Sequence, residues 1–134
     1  MPVTFPFKKE KSAIFGVIQR PIAEVLFQHT EKDLWQPITM LVDTGADYTL
    51  LPKFLASVLG VKLVKEVRVI VTKGVGGQSR VFLLKKAVRV KIGDFTRQIP
   101  VGFLDNNFIP PLLGRQAFLE TFKVTFDRFT VTFE

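Results

Sequence analysis

One stretch constrains this chain more than any other: Leu41-Val42-Asp43-Thr44-Gly45-Ala46-Asp47-Tyr48-Thr49-Leu50-Leu51-Pro52. An apolar, β-branched run delivers a carboxylate, Asp43, into a tight turn built by Thr44 and Gly45, and the chain then continues apolar on the far side. That pattern places a charge deep inside a fold. Burying a carboxylate is costly unless hydrogen bonds or a partner compensate, so the rest of the sequence has to supply the compensation.

The 134 residues are enough for one domain, burying roughly two-thirds of the surface the unfolded chain would expose. A hydrophobic content of 47% against 23% charged residues argues against disorder. No run approaches the roughly 20 apolar residues of a membrane span, so no membrane is expected. The first residues carry no basic segment followed by an apolar one, so no secretory signal is expected. The absence of cysteine excludes disulfides, thiol catalysis and thiolate metal sites. It is compatible with a reducing cytoplasm, the expected location.

Charge is distributed unevenly. Ten Lys/Arg (62, 65, 68, 73, 80, 85, 86, 89, 91, 97) against Glu66 and Asp94 give a local +8 between Lys62 and Arg97. Such a cluster can attract nucleic acid, an acidic peptide or an anionic surface. The simpler expectation is the solvated outer face of strands. Nucleic acid is disfavoured because the charges lack the interleaved aromatics that single-strand binders use for stacking.

In chain order, residues 1–12, with Pro2, Pro6 and the run Lys8-Lys9-Glu10-Lys11, read as a loosely held lead-in to a domain over residues 13–134. Residues 13–18 and 22–28 read as strands with a corner between them, and 35–42 as the strand carrying Asp43 to its turn. His29, the only histidine, reads as a surface-loop residue. Residues 48–51 form another short strand. Pro52 then opens a short helix over 53–59, which Gly60 is placed to end. Strands at 67–72 and 80–84 flank the glycine-rich segment Gly74-Val75-Gly76-Gly77-Gln78, a hairpin tip where backbone can approach a ligand. Phosphate binding would need a strand-to-helix context with GxGxxG or GKS/T, which is missing. A hairpin over 87–92 and 96–103 follows, then Leu112-Leu113-Gly114-Arg115 leading into a second short helix. Alternating Phe122/Val124/Phe126 and Phe129/Val131/Phe133 mark a terminal hairpin turning at Asp127-Arg128. The chain is therefore expected to be mainly β, a closed or semi-closed barrel with two short helices.

The inventory narrows the chemistry. Without cysteine or a second histidine, thiol catalysis and a Ser/His/Asp triad are out. Metal hydrolysis would rest on scattered carboxylates without ligand spacing, so no metal and no cofactor is expected. Acid–base work at Asp43 remains. Two carboxylates about 3 Å apart can share a proton so that one is ionised and the other protonated, the arrangement of aspartic proteases. The chain holds one Asp-Thr-Gly, so the second carboxylate must come from another copy.

Asp43-Thr44-Gly45-Ala46-Asp47, the Gly74–Gln78 loop about thirty residues later and Leu112-Leu113-Gly114-Arg115, in that order and spacing, resemble a retroviral-type aspartic protease (retropepsin), over roughly residues 20–122. The resemblance implies the acid-protease barrel, a two-fold homodimer and peptide or protein substrates. It implies that Asp43 is the catalytic aspartate, that the Thr44 hydroxyl locks the two active-site loops together, and that Gly45 contacts substrate backbone. Ala46, Asp47, Gly74, Val75, Gly76, Gly77 and Gln78 then fall at substrate-binding positions, the last five as a flap tip. Arg115 supports the site by pairing with Asp47, beside Gly114. The chain departs from viral enzymes in continuing through a Phe-rich hairpin to Glu134, closer to cellular or prokaryotic single-domain members. Tyr48 also replaces the small or acidic residue often found there.

Two other readings remain at this level. Asp43 could merely cap a turn, or the fold could serve as a catalytically weak dimerisation or peptide-binding module that adds an extended strand to its cleft.

Overall fold

The structure, a computed structural model, describes residues 1–74 and 77–134. Its centre is a curled, half-barrel sheet of nine strands. In chain order the strands are β1 (Val3–Pro6), β2 (Lys8–Ser12), β3 (Gly16–Arg20), β4 (Ile22–Gln28), β5 (Trp35–Val42), β6 (Thr49–Pro52), β7 (Val67–Gly74), β8 (Gly77–Leu84), β9 (Val88–Ile92), β10 (Phe95–Ile99), β11 (Val101–Leu104), β12 (Leu112–Leu113), β13 (Val124–Asp127) and β14 (Thr130–Phe133). The large sheet runs β10-β9-β4-β5-β12-β6-β11-β8-β7, beside a sheet β1-β14-β13 and a separate hairpin β2-β3. The expected mainly β architecture is what folds. Among the described residues no helix is long and apolar enough to cross a membrane.

Alternation decides which faces are buried. In β4, Ala23, Val25 and Phe27 are sealed while Glu24 is exposed, and in β9 Val88, Val90 and Ile92 are buried around exposed Arg89. Side chains of this size each contribute roughly 1.5–3 kcal/mol on burial, so the two faces cannot exchange without losing the core. Phe118, Phe122 and Phe133 close one end of that core, with edge-to-face or tilted contacts at 5.2–6.3 Å.

Several expectations need correction. Residues 1–12 are not a loose lead-in: β1 pairs antiparallel with β14, Val3 opposite Phe133, and Phe5 packs edge-on to Phe133 at 6.2 Å. The missing partner lay some 130 residues away, where a local reading of Pro2 and Pro6 could not find it. Residues 96–103 are two strands, because Pro100 has no N–H to continue the ladder; β10 pairs with β9, whereas β11 runs parallel to β6. The helices shrink to one turn, α1 (Leu55–Val58), and a 3-10 turn (Leu119–Thr121). The terminal hairpin turns at Arg128-Phe129, both at positive φ (47° and 65°), which suits the right-handed twist of the flanking strands.

β12 positions the site. It slots between β5 and β6, parallel to β5 with Leu112 opposite Leu41 and Leu113 opposite Val42, and antiparallel to β6. The two arms of the Asp43 turn are therefore held apart and fixed by a third strand.

Candidate active site

Asp43 leaves the end of β5 with its backbone tied on both sides. The Asp43 N–H donates to Leu113 O at 3.0 Å, Leu41 N–H to Pro111 O at 2.8 Å, and Val42 N–H to Pro21 O at 2.9 Å. The turn is closed by its own side chain: Gly45 N–H donates to Asp43 Oδ1 at 3.0 Å, and Ala46 N–H to Asp43 O at 3.2 Å. A Cβ at position 45 would lie 3.3 Å from that oxygen, which is why glycine suits the turn. Among the described residues Asp43 Oδ2 accepts no hydrogen bond. The carboxylate therefore has one oxygen held and one available.

The sequence placed this charge deep in the fold, but here it is only half-buried, with Thr44 and Gly45 exposed. A turn at the tip of a strand cannot be covered by its own sheet. Burial of Asp43 thus needs something beyond this chain's own side chains.

The loop is clamped from the 112–116 segment. Arg115 donates one guanidinium nitrogen to Thr44 O at 2.6 Å and another to Asp47 Oδ1 at 2.5 Å. Arg115 N–H reaches Ala46 O at 3.0 Å, and Gln116 N–H reaches Asp47 O at 2.8 Å. The ion pair expected between Asp47 and Arg115 is present, yet the Asp47 side chain is 71% exposed, so it tethers the loop as a surface contact and not as a buried charge pair. Gly114 has no freedom to be anything larger: a Cβ there would come within 2.3 Å of the Tyr48 carbonyl.

Sequence reasoning missed Thr49, the one fully buried polar side chain among the described residues. Its hydroxyl accepts Gly114 N–H at 3.2 Å, satisfying a donor that the tight approach to Tyr48 would otherwise strand. Its one signal was a threonine standing in an apolar run. Tyr48 itself is half-buried, its ring edge about 3.0 Å from where a Gly102 Cβ would sit. Burial, with the Asp47 charge adding to it, raises its phenol above the ordinary value of 10.0.

Asp43, Thr44, Gly45, Ala46, Asp47, Gly114 and Arg115 thus form one cluster. Gly74, Gly77 and Gln78 lie apart on the β7-β8 hairpin, with Lys73 opposite Gln78 and Gly74 opposite Gly77. Val75 and Gly76 fall outside the described residues. Among the described residues no hydrogen bond joins this hairpin to the Asp43 loop; the two are related through β6 and β11 of the same sheet.

Comparison with solved structures gives the class first. A retropepsin-like aspartic protease from Rickettsia conorii superimposes with a TM-score of 0.64 at 20% identity, covering 98% of each chain. EIAV protease, in complex with the inhibitor HBY-793, superimposes with a TM-score of 0.56 at 24% identity over 76% of this chain and 88% of its own. At such identities the likeness shows the fold, which is retropepsin-like. No curated protein sequence matches the chain. The sequence profile of the aspartyl proteases matches residues 31–117, well over half of the length, and the chain belongs to the aspartyl protease family.

Proposed function

We propose that the protein is an aspartic endopeptidase acting as a homodimer, with Asp43 of each copy contributing one carboxylate to a shared pair. The observation that carries this is the state of Asp43: fixed through Oδ1 by Gly45, with Oδ2 available, on an exposed loop held rigidly by β12 and Arg115. Two such loops meeting face to face bring the carboxylates within sharing distance of a proton. One is then ionised and deprotonates the attacking water, while the other donates to the carbonyl oxygen of the scissile peptide. Meeting a second copy would also cover Thr44 and Gly45, which one chain leaves in solvent. Gly74, Gly77 and Gln78 would cover bound peptide as part of a flap, and Ala46 and Asp47 would line the cleft. A cysteine-free chain loses nothing in a reducing compartment, which supports a cytoplasmic location.

The test is hydrolysis of a diverse peptide library between about pH 3 and 7, with sedimentation to establish the dimer. Asp43→Asn is expected to lower kcat by about 10³-fold or more, as loss of an acid–base group does, while leaving the dimer intact. A wild-type dimer that binds peptides and cleaves none would replace this function with a peptide-binding module.

A further inference from the structure

A well-formed concavity lies away from Asp43. It is a cavity of about 670 Å³, within the size range of ligand sites, formed where the far end of β4, the segment before β7 and the β8-β9 connection meet. Ile22 at the near end of β4 pairs with Leu41, whereas Gln28 at the cavity pairs with Trp35. Six residues of strand therefore separate the cavity from the Asp43 loop, about 20 Å.

Its lining is strongly one-signed. Lys65, Lys85, Lys86 and Arg89 face Glu66 as the only acid. Among the described residues none of the four cations takes part in an ion pair, whereas Lys53, Lys62, Arg80 and Arg115 each do. Glu66 is partly engaged already, its Oε2 accepting Lys62 N–H at 3.4 Å. The cavity wall is fixed across its middle, because Lys85 N–H donates to Glu66 O at 3.0 Å and joins the two roots of the β7-β8 hairpin. Like charges gathered around a concave surface repel one another and focus a positive field into it, which an anionic ligand relieves.

We propose that this cavity is a docking site for a carboxylate-rich stretch of polypeptide, an exosite that selects acidic protein substrates for the cleft. The proposal rests on the protease function above for the word substrate, but not for the binding itself. Three of the four cations are lysines, compact charges suited to separate carboxylates, and the neutral lining residues Gln28, Thr30 and Gln98 can hydrogen-bond a peptide backbone. Among the described lining residues there is no Phe, Tyr or Trp, and the one ring is that of His29, whose Nδ1 already accepts Glu31 and Lys32 N–H. The nearby Trp35 ring is covered by Arg89, so a nucleic-acid strand would find charge without an open stacking platform.

The test uses the Asp43→Asn protein, so that binding is read without cleavage. Fluorescein-labelled decaglutamate should bind by anisotropy, and K85E/K86E in the same background should weaken it about tenfold, the effect of replacing two weak exposed attractions by repulsions. K9E/K11E, which changes net charge equally on β2, should leave binding within about twofold; thermal unfolding verifies that both variants fold. Equal weakening by the two double variants would overturn the site in favour of a diffuse charge effect. No binding by the parent protein would overturn it outright. A single-stranded oligonucleotide that binds more tightly than decaglutamate and is lost in K85E/K86E would reassign the cavity to nucleic acid. Since wild-type peptide hydrolysis is measured separately, loss of the protease reading and loss of the exosite remain distinguishable.

Discussion

The Asp43 loop and the β7-β8 hairpin are both glycine-bearing turns in one sheet, but they are held in opposite ways. The loop is pinned by backbone bonds to Pro21 and Leu113, by Arg115 on its outer side, and by Gly114 wedged against Tyr48. The hairpin is held mostly by its own ladder. β7 is the outermost strand of the sheet, and Val69 and Val71 stand 52% and 60% exposed on it. A group that must meet a reacting atom within a fraction of an ångström needs the first kind of support, and an element that opens and closes over a ligand needs the second.

The comparison breaks most visibly at Gly114. Gly114→Ala pushes a methyl into the Tyr48 backbone and is expected to cost about 3 kcal/mol, the upper range for overpacking; a cost below about 1 kcal/mol by urea denaturation would mean that the brace is soft. Thr49→Val keeps the shape but leaves Gly114 N–H buried without an acceptor, and should cost about 2 kcal/mol by the same measurement. Arg115→Met removes a half-exposed ion pair, so its stability cost should be about 1 kcal/mol or less, while kcat falls further than that cost would imply because the loop loses its tether. On the hairpin, Val69→Ser and Val71→Ser should each move stability by no more than about 0.5 kcal/mol and act instead on the KM for peptides. A stability loss there as large as at Thr49 would erase the contrast between the two regions.

The smallest effect concerns the middle of the hairpin, where Arg80 pairs with Val71. Arg80 of β8 bonds Asp105 at 2.7 Å, and Lys53 lies 3.4 Å from the same carboxylate. The hydrogen bond from Arg80 outweighs the desolvation that opposes it and, with the Lys53 charge adding to it, lowers the Asp105 carboxyl below its ordinary 3.8. Because the folded value is the lower one, this contact contributes stability above pH 4 or so and loses it as pH falls through the depressed value. Arg80→Gln should therefore lower stability slightly at neutral pH, as seen in thermal unfolding, and the deficit should shrink as pH falls below about 4, which flattens the acid limb of the stability curve.

Much of the site was legible in the sequence because its parts are local. An acid at the end of a β-branched run, followed by Thr-Gly, specifies a strand and a side-chain-closed turn through contacts spanning a few residues. The alternation that buries Val88, Val90 and Ile92 is equally local. The resemblance to retropepsins then linked Asp47 to Arg115, and the pair forms as that link implies. Thr49 is barely marked in the local sequence because its role is defined by Gly114, 65 residues away, and residues 1–12 read as loose because β1 acquires its meaning from β14.

By itself, then, the sequence determined the β-strand pattern, the Asp-Thr-Gly turn and the one-sided charge, all of which follow from side-chain period and backbone preference over short spans. Only the tertiary structure decided that β12 threads between β5 and β6, that one Asp43 carboxylate oxygen accepts Gly45 N–H while the other is unbonded among the described residues, and that four cations face one cavity. Those outcomes depend on loop closures across the whole chain, whose entropy is repaid only when the complete core forms, so no local stretch could carry them.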